Sequence, residues 1–86
     1  MTAAFSEDAM REHFAHCIQV LGGVTAASRR LGIDERAIRR FISGERPLGV
    51  GLVRDTAKTL AAMIAEAQAA HDEIVAMIGD TDTPSA

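Results

Sequence analysis

The residues of this chain best placed to do chemistry are three arginines and a serine on one helical stripe. Arg36, Arg39, Arg40 and Ser43 recur at i, i+3, i+4 and i+7, so in a helix they share one face, with Glu35 at its flank. Ala37, Ile38 and Phe41 fall on the opposite face. An arginine stripe on an outward helix face suits the major groove of duplex DNA. There the guanidinium fork makes bidentate contacts to guanine edges and paired contacts to phosphates. A solvated face on a small helical domain is the plainer alternative. Glu35, Arg36, Arg39, Arg40 and Ser43 are accordingly the candidates for base-edge contact, Glu35 by accepting from a cytosine amino group.

Other chemistry finds less support. His13, His16 and Cys17 lie on one helical stretch, with His13 and Cys17 as i, i+4 neighbours. A structural zinc site needs about four ligands, and only His71 remains as a further candidate. Cys17 falls on an apolar stripe and reads more simply as a small core residue. No paired carboxylates, phosphate-binding glycine loop or nucleophile–base constellation is visible. The reading is therefore of a binding protein, not an enzyme, with no metal and no cofactor.

The arginine stripe needs elements to hold it. Val24, Ala27 and Leu31 form one helical face of a stretch ending at Gly32, where a glycine tolerates positive φ. Asp34 is then the natural N-cap of the next helix, about 35–42. Two short helices joined by a tight corner containing glycine form the helix-turn-helix unit. Thr25 is placed to cap the first of these two helices. Arg29 and Arg30 lie off its apolar face.

Residues 24–46 resemble the helix-turn-helix of λ-repressor-like (Cro/repressor-type) DNA-binding domains. Ala27-Ser28 stand at the family's small positions in the first helix, Leu31-Gly32-Ile33 at its corner, and Ile38 at the apolar position within its recognition helix. Ser43-Gly44-Glu45-Arg46-Pro47 is similar to the loop that follows. The resemblance covers about a quarter of the chain closely. It implies sequence-specific binding of duplex DNA, usually as a dimer and usually in transcriptional control. Thr25, Arg30 and Arg46 then become candidates for phosphate contact. A two-fold dimer implies an inverted-repeat operator with half-sites roughly 34 Å apart, and repression by occupying a promoter is the simplest mechanism. The rival reading is a protein-interaction module whose arginine face docks an acidic partner. An architectural binder without sequence preference is a further alternative.

Composition bounds these readings. Eighty-six residues fit one domain, and its aromatic residues are three phenylalanines. Alanine-rich helical stripes without β-rich runs point to an all-α fold of four to five helices with a long C-terminal helix. Net charge is −3, yet residues 24–46 hold six arginines against three acids, a local excess of +3. The local field, not the total charge, steers a polyanion to a surface. A single cysteine excludes an internal disulfide and fits a reducing compartment. No membrane span or secretory signal is visible, so a cytoplasmic, nucleoid-associated protein is expected.

The flanking elements complete the expected layout. Residues 1–5 are read as a disordered start. Ser6 caps a first helix whose Met10, Phe14, Cys17, Ile18 and Leu21 form an apolar face ended by Gly22-Gly23, and Phe5 with Met10 could form a hydrophobic staple. Leu48 anchors the loop after the recognition helix. From about Gly51 to Ile78, Val53, Ala57, Leu60, Ile64, Ala67, His71, Ile74 and Ile78 alternate by four and three, a heptad seam widened by Met63, Ala70 and Met77. Residues 6–64 are expected to form the DNA-binding domain, with Val53 to Ile64 packed on its core. Residues 65–78 are expected to form an extension in which Ile64, Ala67, His71, Ile74 and Ile78 mediate dimerisation. The alternative is a break near 65–70 that folds everything into one globule. Residues 79–86 are read as a disordered tail.

Overall fold

A computed structural model describes residues 6–79. The chain is all-helical: α1 (Glu7–Val20), α2 (Val24–Leu31), α3 (Glu35–Ser43) and α4 (Val50–Ile78) follow one another, with no strand among the described residues. The expected disordered segments 1–5 and 80–86, and the Phe5 half of the staple, lie outside the described residues.

Helix α1 starts where its cap requires. The Ser6 hydroxyl accepts from the Ala9 N–H at 3.0 Å, and Glu7 and Asp8 occupy the first turn, where the helix dipole favours acids. Phe14, Cys17, Ile18 and Leu21 are buried on one side of it. The helix ends at Gly22-Gly23, both with positive φ. Gly22 also lies against α2: a Cβ there would stand 2.9 Å from the Cβ of Ala26. This close approach brings α2 back over α1.

The corner between α2 and α3 is held by Ser28. Its carbonyl accepts from the Gly32 N–H (2.9 Å) and the Ile33 N–H (3.2 Å), and its hydroxyl donates to the Ile33 carbonyl at 2.6 Å. Three bonds therefore close one short turn, with Gly32 at φ 72°. Helix α3 starts after Asp34, as expected, but the Asp34 side chain makes no capping bond. Thr25 does not cap α2. Gly23 holds that position, and Thr25 is the second residue of the helix and exposed.

The core is small. Phe14, Ile18, Leu21, Ala27 and Ile38 form its buried centre. Phe41 meets Phe14 edge-on at 6.2 Å, and Leu48 packs the following loop against the cluster. Helices α3 and α4 each pack on α1 and α2 but not on each other.

Helix α4 is a single unbroken helix of 29 residues, which rules out the break near 65–70. The face it turns to the core corrects the sequence reading. Leu52, Thr56, Leu60 and Met63 pack inward, while Ile64 is 67% exposed. The packed stripe starts one residue earlier than the heptad seam because Thr56 is buried. Its hydroxyl donates to the Leu52 carbonyl at 2.8 Å, so no polar group is left unsatisfied. Beyond Met63 every residue of α4 is exposed.

Two glycine substitutions separate the corner from ordinary helix. Gly32→Ala forces a β-carbon into the left-handed region and should cost about 1–2 kcal/mol. Gly51→Ala, in open space inside α4, should be neutral or stabilise by up to about 0.5 kcal/mol. Urea midpoints measure both, and equal midpoints for the two variants would contradict the corner's role.

Candidate nucleic-acid interface

Helix α3 presents the predicted stripe. Ile38 is fully buried and Ala37, Phe41 and Ile42 are partly buried, which leaves Arg36, Arg39, Arg40 and Ser43 exposed on the other side. The apolar edge of α3 thus fixes its rotation, and the rotation points the arginines outward.

The three arginines are not equivalent. Arg39 pairs with Glu35 one turn back at 3.3 Å, and the Arg40 Nε stands 3.7 Å from Glu45 in the following loop. Arg36 forms no ion pair among the described residues. Both observed pairs are substantially exposed, so each contributes at most about 1 kcal/mol and is easily exchanged for another anion. Glu35 was a candidate base contact, and here it orients Arg39. The Ser43 hydroxyl is engaged in ending α3: it donates to the Arg40 carbonyl (3.2 Å) and accepts from the Glu45 N–H (3.4 Å).

The loop after α3 adds positive charge at its C-terminal end. The Arg46 guanidinium lies 5.3 Å from the centre of the Phe41 ring, a cation–π arrangement that holds it beside α3. Arg11 of α1 reaches the same place. Its guanidinium lines a shallow surface hollow with Phe41, Gly44 and Arg46, and it is paired to Asp8 at 2.6 Å. Nothing in the local sequence marks Arg11, because its approach to Gly44 exists only once α1 packs on α3.

Arg30 is placed differently. Its guanidinium faces Glu66 of α4 at 3.7 Å, so it links α2 to α4 and is not gathered with the α3 arginines. Arg29 is exposed. The predicted phosphate contacts therefore divide: Arg46 stands beside the stripe, Thr25 is on the first turn of α2, and Arg30 is turned to α4.

The remaining reactive groups do not form a site. Burial pushes the Cys17 thiol up from its ordinary value, the opposite of what a nucleophilic or metal-binding thiolate needs. His13 and His16 lie on the surface of α1 with ring centres 5.7 Å apart and planes tilted by 38°. Among the described residues no three His, Cys, Asp or Glu side chains come together as a metal-ligand group. His71 is exposed on α4. Hydrogen bonds from His71 first, then Gln68, hold the Asp72 carboxyl below the usual carboxylate range.

The predicted dimerisation residues are all exposed. Ile64, Ala67, His71, Ile74 and Ile78 line the part of α4 that extends past the core, with Val75 and Met77 alongside. Among the described residues no helix is long and apolar enough to cross a membrane. No family model matches the chain, and no curated protein or solved structure matches it either.

The ion pairs make a testable statement about the arginine face. Glu35→Gln and Glu45→Gln each remove a competing carboxylate, so the variants should elute from a heparin column at higher salt than the parent chain. Unchanged or earlier elution would show that the polyanion is held elsewhere.

Proposed function

We propose that this chain is a sequence-specific regulator that binds duplex DNA through a λ-repressor-like helix-turn-helix, α2 and α3, and that it acts as a homodimer. The observation that carries the reading is the orientation of α3. An apolar edge seated on α1 and α2 leaves Arg36, Arg39 and Arg40 side by side on an exposed face. A helix of this width fits the major groove, about 12 Å across. Arg36, which pairs with no carboxylate among the described residues, and Arg39 and Arg40, whose partners are exposed and exchangeable, read base edges. Arg46, and Arg11 beside it, approach the phosphate backbone, with Thr25 at the N-terminal end of α2. Occupation of a promoter makes repression the simplest outcome. A cytoplasmic, nucleoid-associated location follows from that role. No catalytic role is assigned.

A second reading has one observation in its favour. Arg39 and Arg40 already bind carboxylates, those of Glu35 and Glu45. An acidic segment of a partner protein could replace them at the same face.

A competition assay separates the two. The chain is titrated into DNA from upstream of its own gene at near-physiological salt, against excess unrelated duplex. Specific binding should exceed nonspecific binding by ~10³-fold or more. Arg36→Ala and Arg39→Ala should each cost about 1–3 kcal/mol at the cognate site and little on unrelated duplex, whereas Arg46→Ala should weaken all sequences alike and lower the salt slope by about 1. Equal affinity for every duplex would defeat the sequence-specific reading. No binding to any duplex would favour the acidic protein partner.

A further inference from the structure

The apolar seam of α4 has a symmetry that the packed core does not use. Past Met63 the helix runs on for roughly 22 Å at 1.5 Å per residue, and Ile64, Ala67, His71, Ile74 and Ile78 stay exposed along it. The same seam continues backwards through Leu60, Ala57 and Val53. Those three residues line a groove of about 200 Å³ between α4 and α1, whose other wall includes Met10, His13 and Phe14. The seam therefore has two halves: one bare, and one forming the floor of a groove.

Building on the homodimer in the proposed function, we infer that a second copy of this chain lays its α4 antiparallel along this seam, the bare half of each helix filling the α1–α4 groove of the other. The register is set by the seam itself. Turned end for end about the point between Ala65 and Glu66, it maps onto itself: Val53 meets Ile78, Ala57 meets Ile74, Leu60 meets His71 and Ile64 meets Ala67. Each residue at one seam position faces one at the other, the pairing that antiparallel helices make and parallel helices do not. Two of the four pairs set a branched side chain against an alanine, so a projection meets a recess. Each contact occurs twice, as a closed two-fold interface demands.

Charge favours the same direction. The first half of α4 carries Arg54 and Lys58 with Asp55, and the second half carries Glu66, Asp72 and Glu73 with no lysine or arginine. Antiparallel pairing sets the acidic half of each helix beside the basic half of the other. Parallel pairing sets acidic beside acidic and stacks His71 on His71. It also brings both α1 helices to the same level of the seam.

The test is disulfide trapping in the full-length chain with Cys17→Ala as background. Ala57→Cys and Ile74→Cys are combined in one variant, and each is also made alone. Within one helix the two positions are roughly 25 Å apart, far beyond disulfide reach, so the double variant can only link between chains. Mild oxidation should convert most of it to a covalent dimer on a non-reducing gel, and neither single variant should link. Val53→Cys with Ile78→Cys is the second pair, and helical circular dichroism reports whether each variant folds. Light scattering on the unsubstituted chain should give twice the 9.1 kDa monomer mass. Linking by the single variants would make the pairing parallel and overturn the register while leaving the dimer. A doubled mass with neither pair linking would move the interface elsewhere and overturn the inference. A monomeric mass at tens of micromolar would overturn the dimer itself. None of these outcomes decides whether α3 reads base edges, which the competition assay tests separately.

Discussion

The burial of Ile38 is the constraint on which the rest of this molecule depends. Helix α3 is nine residues long, too short to persist alone in water. It exists because Ile38, with Phe41 and Ile42 beside it, seats on Phe14, Ile18, Leu21 and Ala27. That narrow apolar edge fixes both the position and the rotation of α3. Everything on its other side is then free to be charged at little cost to the fold. The Ser28 bonds and Gly32 serve the same end, since they set the angle at which Ile38 arrives. Loss of packing at Ile38 would remove the arginine face along with the fold.

A core this small supports little more than the three helices that surround it. Helix α4 contributes Leu52, Thr56, Leu60 and Met63 to it and then leaves. Its remaining turns gain nothing from the core, yet they carry isoleucines, a valine and a methionine where an exposed helix usually shows polar residues. The apolar seam and the packed stripe are distinct faces of one helix, adjacent around its circumference and overlapping at Leu60. One face completes a domain, and the other is suited to an association.

Much of this was legible in the sequence, and the exceptions share a cause. Ser6, the apolar face of α1, the Gly32 corner and the arginine stripe follow from short-range rules: capping, periodicity and positive φ. The core-facing side of α4 did not follow, because a heptad rule ranks Val53 and Ala57 above Thr56. A threonine can be buried when its hydroxyl returns to its own helix, and composition does not show that. The hydroxyl of Thr25 at the start of α2 marks it as a cap by sequence rules alone, but α2 starts earlier, from Gly23 at positive φ. Arg11 and Glu66 had no local signal at all. Their roles beside Gly44 and Arg30 depend on how helices far apart in sequence pack together. The unbroken length of α4 stood open between two readings, since alanine-rich sequence permits either a continuous helix or a turn.

The placement of α3 and α4 bears on how the two proposed surfaces would cooperate. Both pack on α1 and α2 and neither on the other, so pairing through α4 leaves the arginine face uncovered. In the antiparallel register, the stretch of α4 that each chain packs on its own core lies beside the free stretch of the other. The centres of the two packed stretches then stand roughly 24 Å apart along the helix axis, on either side of a two-fold that crosses it between Ala65 and Glu66. The two arginine faces are related by that same axis. On the proposed reading a palindromic target would follow from the two-fold pairing of α4 and need not be assumed separately. A parallel pair would also have two-fold symmetry, but its axis would run along the helices and set both domains side by side at one end. In the proposed dimer the direction of α4 would fix the half-site spacing, and α3 would fix what is read within each half-site.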